Sequence, residues 1–354
     1  SPPPSALINQ RLGNTLERAR ALSPRTNEES LAYFREDVDA ALARALERVW
    51  DPTQPRERAP RTTWGDPDLQ GIWNSSGATP MERPDEYEDR VTLSDEETAQ
   101  RRQVSDERDE GLALAERRTT VVGGTVGAYN NFWFERGTPS NRTSMLVDPP
   151  DGRFPPLTPA GELARTSRPR GDDTWEDRHI WERCVTRGGM PNAMFPRSYN
   201  NNMQLFQTPD HVVVVNEMVH DARIIPLDGR AHGTVRQWNG DSRGHWDGDT
   251  LVVETINLNP QQAPRNAAPL TAQGKVIERF TRYSDEQIFY EFEVTDPAYY
   301  REPWRGEISF NATDTKPYEY ACHEGNYSMA NTLRGARFLE QQWMAEHGEG
   351  VQHD

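Results

Sequence analysis

The fold is decided by residues 199–230, which read YNNNMQLFQTPDHVVVVNEMVHDARIIPLDGR. β-Branched and aromatic residues dominate its apolar runs, and Asn, Pro, Asp and Gly interrupt them, which predicts short strands joined by turns. Three later segments continue the pattern, at 236–258, 275–296 and 318–329. Together they predict a mainly β protein, built on a curved antiparallel sheet or a lipocalin-like β-barrel with peripheral helices. A sheet of this shape can enclose a pocket for a small molecule.

Individual strands and turns can be assigned within these segments. The run 211–217 reads HVVVVNE and carries valines on both faces, which is typical of a central, buried strand. Asp247-Gly248 predicts a tight hairpin turn, because Gly tolerates the left-handed conformation that such turns need. Residues 284–286 predict a second turn, between strands at 275–283 and 287–295.

Two capping-box patterns predict helix starts. Residues 26–29 precede a helix expected over 28–49, whose apolar stripe contains Leu31, Phe34, Val38, Ala41, Leu42 and Val49. Residues 94–97 precede a highly charged helix that should be solvated and extend to about residue 118. A further helix is expected over 328–347, and its predicted buried side contains Leu333, Phe338, Leu339 and Trp343.

These elements divide the chain into a short extension and one large domain. Residues 1–61 form the N-terminal extension with its single helix, and residues 62–347 form the barrel-like domain. Residues 348–354 are a tail. The loop-rich stretch 119–200 is expected to cover a site or to make an interface, because loops of this length are uncommon in compact domains.

Composition excludes several classes of function. The net charge of -16 disfavours nucleic acid, whose phosphates the surface would repel, and it disfavours anionic lipid. No apolar run approaches the roughly 20 residues of a membrane-spanning helix, so no membrane insertion is expected. No Walker A or Rossmann glycine pattern is present, and therefore no nucleotide cofactor is expected.

The two cysteines, Cys184 and Cys322, lack the spacing of a cysteine zinc site. They can form one disulfide if the protein is exported, or they can remain two buried thiols, and the sequence leaves both alternatives open. The chain begins Ser-Pro-Pro-Pro-Ser, which fits a terminus left by signal-peptide removal, although a trimmed chain would look the same. A periplasmic or secreted location is the expectation.

Several blocks resemble an uncharacterised family of secreted bacterial proteins. They are DLQGIW, YNNNMQ, HDARIIPLDGR, GDSRGHWDGDTLVVET and YEYACHEGNYSM, and the resemblance covers roughly residues 62–340. Within the first block, Gly71-Ile72-Trp73 is similar to the Gly-x-Trp feature at the first strand of lipocalins, which implies a Trp that closes the barrel floor. The resemblance implies no activity and no catalytic residue, so function must come from the residues themselves.

Two imidazole–carboxylate pairs are the candidate catalytic groups. His220-Asp221 follows the valine-rich strand, and His323-Glu324 ends the last predicted strand inside a tyrosine-rich segment. Burial and a neighbouring carboxylate can tune an imidazole for proton transfer. We therefore predict that His220 and His323 transfer protons and that Asp221 and Glu324 orient or tune them. The alternative for both pairs is a structural role at a strand end.

Amide, phenol and guanidinium groups near these pairs are candidates for binding a substrate. The predicted residues are Tyr199, Asn201, Asn216, Arg243 and Tyr327. Period-two alternation places Asn216 and His220 on one strand face, and Arg243 can anchor a carboxylate. The asparagines equally fit a loop that hydrogen-bonds its own backbone. Ser242, within a Gly-Asp-Ser sequence, fits a turn better than a nucleophile because strands flank it.

These observations favour a secreted or periplasmic enzyme that acts on a small, partly apolar molecule by cofactor-free acid–base chemistry, of the lyase, hydratase, isomerase or cyclase type. Three alternatives remain. One is a lipocalin-like binding protein without turnover, and another is a metal-dependent enzyme in which His220, His323 and a carboxylate hold the ion. The third is an accessory subunit of an envelope complex. The 28–49 helix would then pack on the domain or join copies into a homo-oligomer.

Overall fold

The computed structural model describes residues 59–114, 134–135, 137, 140–166, 173–263 and 266–348. In these ranges the chain forms one antiparallel sheet of ten strands. The strands are β1 (Gly71–Asn74), β2 (Leu146–Asp148), β3 (Asn202–Gln207), β4 (His211–Asn216), β5 (Ala222–Pro226), β6 (Asp241–Asp247), β7 (Thr250–Ile256), β8 (Lys275–Arg282), β9 (Gln287–Thr295) and β10 (Trp304–Ala312). The α-helices are α1 (Asp95–Leu114), α2 (Pro159–Thr166) and α3 (Tyr327–His347).

The sheet curls into a nearly closed barrel. Its strands follow the order β5-β4-β3-β1-β10-β9-β8-β7-β6, and β2 pairs with β10 outside this path. The two end strands meet through side chains: a Cβ atom on Gly244 of β6 would lie 2.7 Å from Leu227 and 2.9 Å from Ile225 of β5. The prediction of a mainly β, strongly curved antiparallel barrel with peripheral helices is therefore confirmed.

Both predicted turns are present. The β6–β7 hairpin pairs Asp247 with Thr250, and Gly248 between them has a φ of 60°, the left-handed conformation that the sequence indicated. Residues 283–286 connect β8 to β9, whose registers run from Arg282↔Ile288 to Lys275↔Thr295. These turns form as predicted because their conformation depends on residues within the turn itself.

The last strand is not the one that was predicted. Segment 318–326 forms no strand, and β10 (Trp304–Ala312) closes the pairing between β1 and β9 instead. The tyrosine-rich sequence suggested a strand within 318–329, but β10 is the segment that alternates between buried and more exposed residues. Segment 318–326, named the strap below, is held by a disulfide and by hydrogen bonds rather than by a strand ladder.

The prediction that 211–217 is buried on both faces is wrong for the described residues. Val212 and Val214 are fully buried, whereas Val213 and Val215 are half-buried on the outer face. The alternation also stops at Asn216, because Val219 and His220 adopt φ values of 65° and 51° in a single helical turn over Met218–His220. Asn216 is buried and His220 is exposed, so they do not share a face.

The described helices form where the sequence predicted them, but α3 packs differently from the prediction. At the start of α1, Ser94 and Glu97 form the predicted capping box, with hydrogen bonds of 2.9 and 3.2 Å. Helix α3 matches the predicted 328–347 helix, but Phe338, Leu339 and Trp343 are exposed and Leu333 is half-buried, so the predicted buried side is wrong. None of the described helices is long and apolar enough to cross a membrane. The predicted 28–49 helix, the end of the charged helix near 118 and the 348–354 tail past Gly348 lie outside the described residues.

The Gly-x-Trp sequence begins β1 as expected. Gly71 has a φ of 141°, and Trp73 is fully buried with its indole N–H donating to the Leu69 carbonyl at 3.0 Å. The Arg282 guanidinium lies 5.3 Å from the centre of the Trp73 ring, a cation–π contact. Arg282 Nη1 also donates to the Asp68 carbonyl at 2.6 Å. Trp73 thus links the first strand to β8 from inside the barrel.

The barrel interior is filled by the chain itself. Residues 186–195 are buried without exception, and they enter the core between the strands, where the Phe195 and Phe292 rings lie 5.1 Å apart. Segment 186–195 is named the plug below. Deeper in the interior the aromatic rings pack on one another: the Tyr290 ring centre lies 4.9 Å from that of Phe280, at a tilt, and stacks 4.8 Å from that of Phe310.

One ion pair crosses this apolar interior. Arg223 of β5 donates to both carboxylate oxygens of Glu278 of β8, at 2.6 and 2.9 Å, and the Tyr290 hydroxyl donates to the same carboxylate at 3.0 Å. Burial raises the pKa of Tyr290 well above its usual value, so the phenol stays protonated and can donate. The pair joins strands that are not neighbours in the sheet and therefore ties two walls of the barrel together.

The ion pair predicts a specific pattern of stability. Glu278→Leu leaves the Arg223 charge buried and unpaired, and we expect it to lower the free energy of unfolding by about 3–5 kcal/mol. The double variant Glu278→Leu/Arg223→Met removes both charges and should recover most of that loss. Urea unfolding of the three proteins checks the pattern. If the single and double variants lost the same free energy of unfolding, the unpaired charge of Arg223 would not be the cause of the destabilisation.

Candidate functional site

The candidate site lies where β3 begins and β4 ends. Asn216 pairs with Met203 in the ladder there, and the chain on either side of the two strands converges on that end. Four pieces meet: the loop 179–202, which includes the plug, the turn 217–221, the strap, and Glu135 from an otherwise separate loop. Most of the residues that the sequence singled out belong to these pieces.

Arg187 is the centre of this end of the barrel. It is fully buried, and its guanidinium donates to Asn216 Oδ1 at 3.1 Å, Asn201 Oδ1 at 3.2 Å and the Phe195 carbonyl at 3.1 Å. Burial, helped by the nearby positive charge of Arg197, lowers the pKa of Arg187 to about 9, so it remains charged at neutral pH. Within the described ranges its hydrogen-bond acceptors are neutral oxygens, and its Nε has no acceptor.

Two of the predicted substrate-binding residues serve Arg187 instead of facing solvent. Asn201 is fully buried and accepts from Arg187 and from the Arg197 amide at 2.7 Å, while its own amide donates to Glu135 Oε2 at 3.1 Å. Asn216 is also buried and accepts from Arg187. Their proposed contact with a substrate stays a prediction, and their observed role is to solvate a buried charge.

Asp221 holds the plug in place. Its carboxylate accepts from the Thr186 hydroxyl, from the Arg187 amide at 2.9 Å and from Asn239 at 2.6 Å. The neighbouring His220 turns outward, and its Nε2 accepts from the Tyr320 amide of the strap at 2.9 Å. Asp221 therefore holds the plug, whereas His220 holds the strap. Their predicted roles in proton transfer remain predictions.

The strap carries the second predicted pair across the same end. Cys322 forms a disulfide with Cys184, with Cα atoms 5.8 Å apart, which decides between the two alternatives that the sequence left open. Asn326 adds a hydrogen bond to the Glu182 carbonyl at 2.8 Å. His323 and Glu324 are exposed beside the disulfide. Tyr327, also predicted to bind substrate, begins α3 and is exposed.

Arg243 is the predicted residue that the structure does not bring to this end. It lies in the middle of β6, where its guanidinium donates to Asp241 at 2.5 Å and to the Ala231 carbonyl at 3.1 and 3.2 Å. Ser242 beside it is buried and shares a hydrogen bond of 2.8 Å with Thr255. Both residues belong to the β6–β7 wall, which agrees with reading the Gly-Asp-Ser sequence as structural.

Glu217 is the residue of greatest chemical interest, and it is not among the site residues that the sequence predicted. It is 3% exposed, and its Oε1 accepts from Asn200 Nδ2 and from the Tyr318 amide, both at 3.0 Å. Its Oε2 is buried, with no hydrogen-bond partner among the described residues. A carboxylate at the end of a run of four valines was the available signal, because such a residue is rarely buried without a purpose.

Aromatic residues neighbour, in the chain, the two residues that hydrogen-bond this carboxylate: Tyr199 precedes Asn200, and Tyr320 follows Tyr318 closely. Tyr199, which precedes the Asn200 that contacts Glu217, lies with its ring centre 6.4 Å from Phe134 and 6.3 Å from Trp181. The Trp181 indole N–H donates to the Tyr320 hydroxyl of the strap at 3.1 Å. All four rings are half-buried, so they present apolar surface at the end of the barrel. We name Glu217, Tyr199 and Trp181 the rim site.

In the described part of the chain, no group of three or more His, Cys, Asp and Glu side chains is arranged to hold a metal ion. The metal-dependent alternative built on His220 and His323 therefore gains no support from their placement. His220 already accepts a hydrogen bond through Nε2, the nitrogen that would otherwise be available to a cation.

No protein-family model matches the chain, and no curated protein matches it. Among solved structures, an abundant heat soluble (SAHS) protein from Ramazzottius varieornatus is similar over 38% of this chain and 87% of that chain. The two share 11% sequence identity with a TM-score of 0.23. This likeness is too slight to carry an argument, so the description of the fold rests on the strand order and register given above.

We expect the disulfide between the strap and Cys184 to stabilise the folded protein. Replacing both cysteines by Cys184→Ser and Cys322→Ser should lower the free energy of unfolding by about 3–5 kcal/mol, because the bridge closes a long loop in the unfolded chain. Urea unfolding with and without reductant measures this. Reductant should weaken the parent protein and leave the double variant unchanged. Equal stability of the oxidised parent and the variant would contradict it.

Proposed function

We propose that the protein binds a small molecule at the rim site and does not transform it. The ligand would have an apolar or aromatic body and a hydrogen-bond donor, such as an amine or a hydroxyl group. Glu217 would accept the donor, and Tyr199 and Trp181 would contact the apolar body. The observation that carries the proposal is the buried Oε2 of Glu217, which no described residue satisfies.

A buried carboxylate oxygen without a donor is costly. Leaving such a group unsatisfied costs about 1–3 kcal/mol, and more when the group is charged. Proteins keep such costs where a ligand relieves them, and small-molecule sites typically combine apolar walls with a few fixed polar groups. Glu217 fits this description because Asn200 and Tyr318 already fix the position of its other oxygen.

The charged residues around Glu217 favour a ligand with a hydrogen-bond donor over a ligand with an acceptor. Glu135, Asp221 and Glu217 act on the buried Arg187 from one end of the barrel, and Arg187 and Arg197 are the positive groups beside them. Three carboxylates against two guanidinium groups leave this cluster negative. A ligand amine would gain from that charge and from the faces of nearby aromatic rings. A ligand carboxylate would be repelled by Glu217.

Binding accounts for the placement of the site residues better than acid–base turnover does. His220 is engaged with the strap, and His323 and Glu324 are exposed rather than enclosed with a reacting group. The acid–base reaction remains a prediction with no geometric support of its own. Export to the periplasm or beyond is part of the proposal, since a disulfide persists in an oxidising compartment.

Fluorescence titration with aminoanthracene tests the proposal, with anthracene as a matched probe that lacks the donor. We expect the protein to bind aminoanthracene more tightly than anthracene. Glu217→Gln keeps an oxygen for Asn200 and Tyr318 but replaces the free acceptor with an amide. It should weaken aminoanthracene binding at least tenfold, because a hydrogen bond to a charged group contributes about 1.5–3 kcal/mol. Mass spectrometry should recover the probe unchanged.

Glu324→Gln is the control, because this carboxylate lies near the same end of the barrel but is exposed. It should leave the affinity unaltered, and both variants should unfold at the midpoint of the parent protein. Equal affinity of the Glu217→Gln variant and the parent protein would refute a ligand held by Glu217. A chemically altered probe would replace binding with turnover as the function.

A further inference from the structure

The outer face of β3, β4 and β5 carries an apolar patch. Strand register aligns Phe206 with Val213 and Val213 with Ile224, so these three side chains form one row across the strands. The next row on the same face contains Val215 and Ala222, and Ile72 of β1 extends it beyond Gln204. We name this set the outer patch: Ile72, Phe206, Val213, Val215, Ala222 and Ile224.

The outer patch is open in the described part of the chain. Phe206 is 46% exposed and Ile224 is 63% exposed, and no member of the patch is buried. It contains no charged residue, on a protein whose net charge is -16. Contiguous apolar surface of this kind usually marks an interface. The strand sequence agrees, because HVVVVN has the composition of a strand that is covered on both faces.

The chain enters the sheet at the edge of this patch. The Leu69 amide donates to Gln207 Oε1 at 3.0 Å, and Gln207 Nε2 donates to the Pro67 carbonyl at 2.9 Å. Gln207 is the neighbour of Phe206 in β3, so residues 67–69 lie beside one end of the outer patch. The described chain begins close by, at Ala59, which is buried. Pro60 accepts a hydrogen bond from the Asp68 amide at 2.8 Å, and Arg61 pairs with Asp249 in the β6–β7 turn, so the first described residues lie across the end of the barrel where β3 and β6 end.

We propose that residues 28–49 of the same chain cover the outer patch as an amphipathic helix. Their sequence carries apolar residues at helical spacing, including Leu31, Phe34 and Val38. A helix is about 10 Å wide, and three strands spaced about 4.8 Å apart present a face of similar width. The connection over residues 50–58 can extend to roughly 30 Å, which is long enough to bring the helix onto β3–β5 from residue 59.

Photo-crosslinking in the chain of residues 1–354 tests this directly. The variants Ile224→benzoylphenylalanine and Phe206→benzoylphenylalanine place the probe at two points of the outer patch, where exposure lets the fold tolerate it. Leu163→benzoylphenylalanine is the matched control, because Leu163 on α2 is 65% exposed and lies outside the patch. Irradiation followed by peptide mass spectrometry should show crosslinks within one chain to residues 28–49 from both patch positions, and none from the control.

A second substitution tests whether the apolar stripe of residues 28–49 is what brings this segment to the outer patch. Phe34→Glu, added to the Ile224→benzoylphenylalanine variant, should reduce the crosslink to 28–49 at least fivefold, because a charge is then forced against the patch. Crosslinks between two chains would overturn the proposal and make the patch a contact between copies. Crosslinks to α3, or no crosslink from either patch position, would overturn it as well. None of these outcomes depends on ligand binding at the rim site.

Discussion

The complete burial of the Arg187 charge is the constraint on which this end of the protein depends. A guanidinium taken out of water must recover its hydrogen bonds from the protein, and here it takes them from Asn201, Asn216 and the Phe195 carbonyl. Those acceptors come from the residue before β3, the end of β4 and the last residue of the plug. Satisfying one charge therefore fixes the position of all three.

This arrangement decides where a ligand can bind. A curved sheet suggests a cavity along its axis, yet the plug and the packed rings of Phe280, Tyr290 and Phe310 occupy that space. A buried carboxylate oxygen without a donor among the described residues lies instead at the end of the barrel, in Glu217, beside a strap fixed by a disulfide. The strands follow the order of a barrel, but the interior is a packed core, and the proposed binding surface is the rim.

Sequence reasoning succeeded where structure depends on neighbouring residues. The turn at Asp247-Gly248 and the capping box at Ser94 form as predicted because both are local. It failed where distant segments decide the outcome: the strap is shaped by its bridge to Cys184, across 138 residues, rather than by strand propensity. The site followed the same division. The sequence singled out His220 and Asp221, which lie at this end of the barrel in structural roles, but it did not single out Arg187, because a buried arginine looks like any other in a loop.

The central claim is that a ligand is held at the rim by Glu217, and a crystal structure of the complex with aminoanthracene tests it most directly. The account predicts the probe amine within hydrogen-bond distance of Glu217 Oε2, with its rings against Tyr199 and Trp181 and the plug unmoved. A probe found among Phe280, Tyr290 and Phe310, with residues 186–195 displaced, would contradict the account and make the barrel interior the binding site.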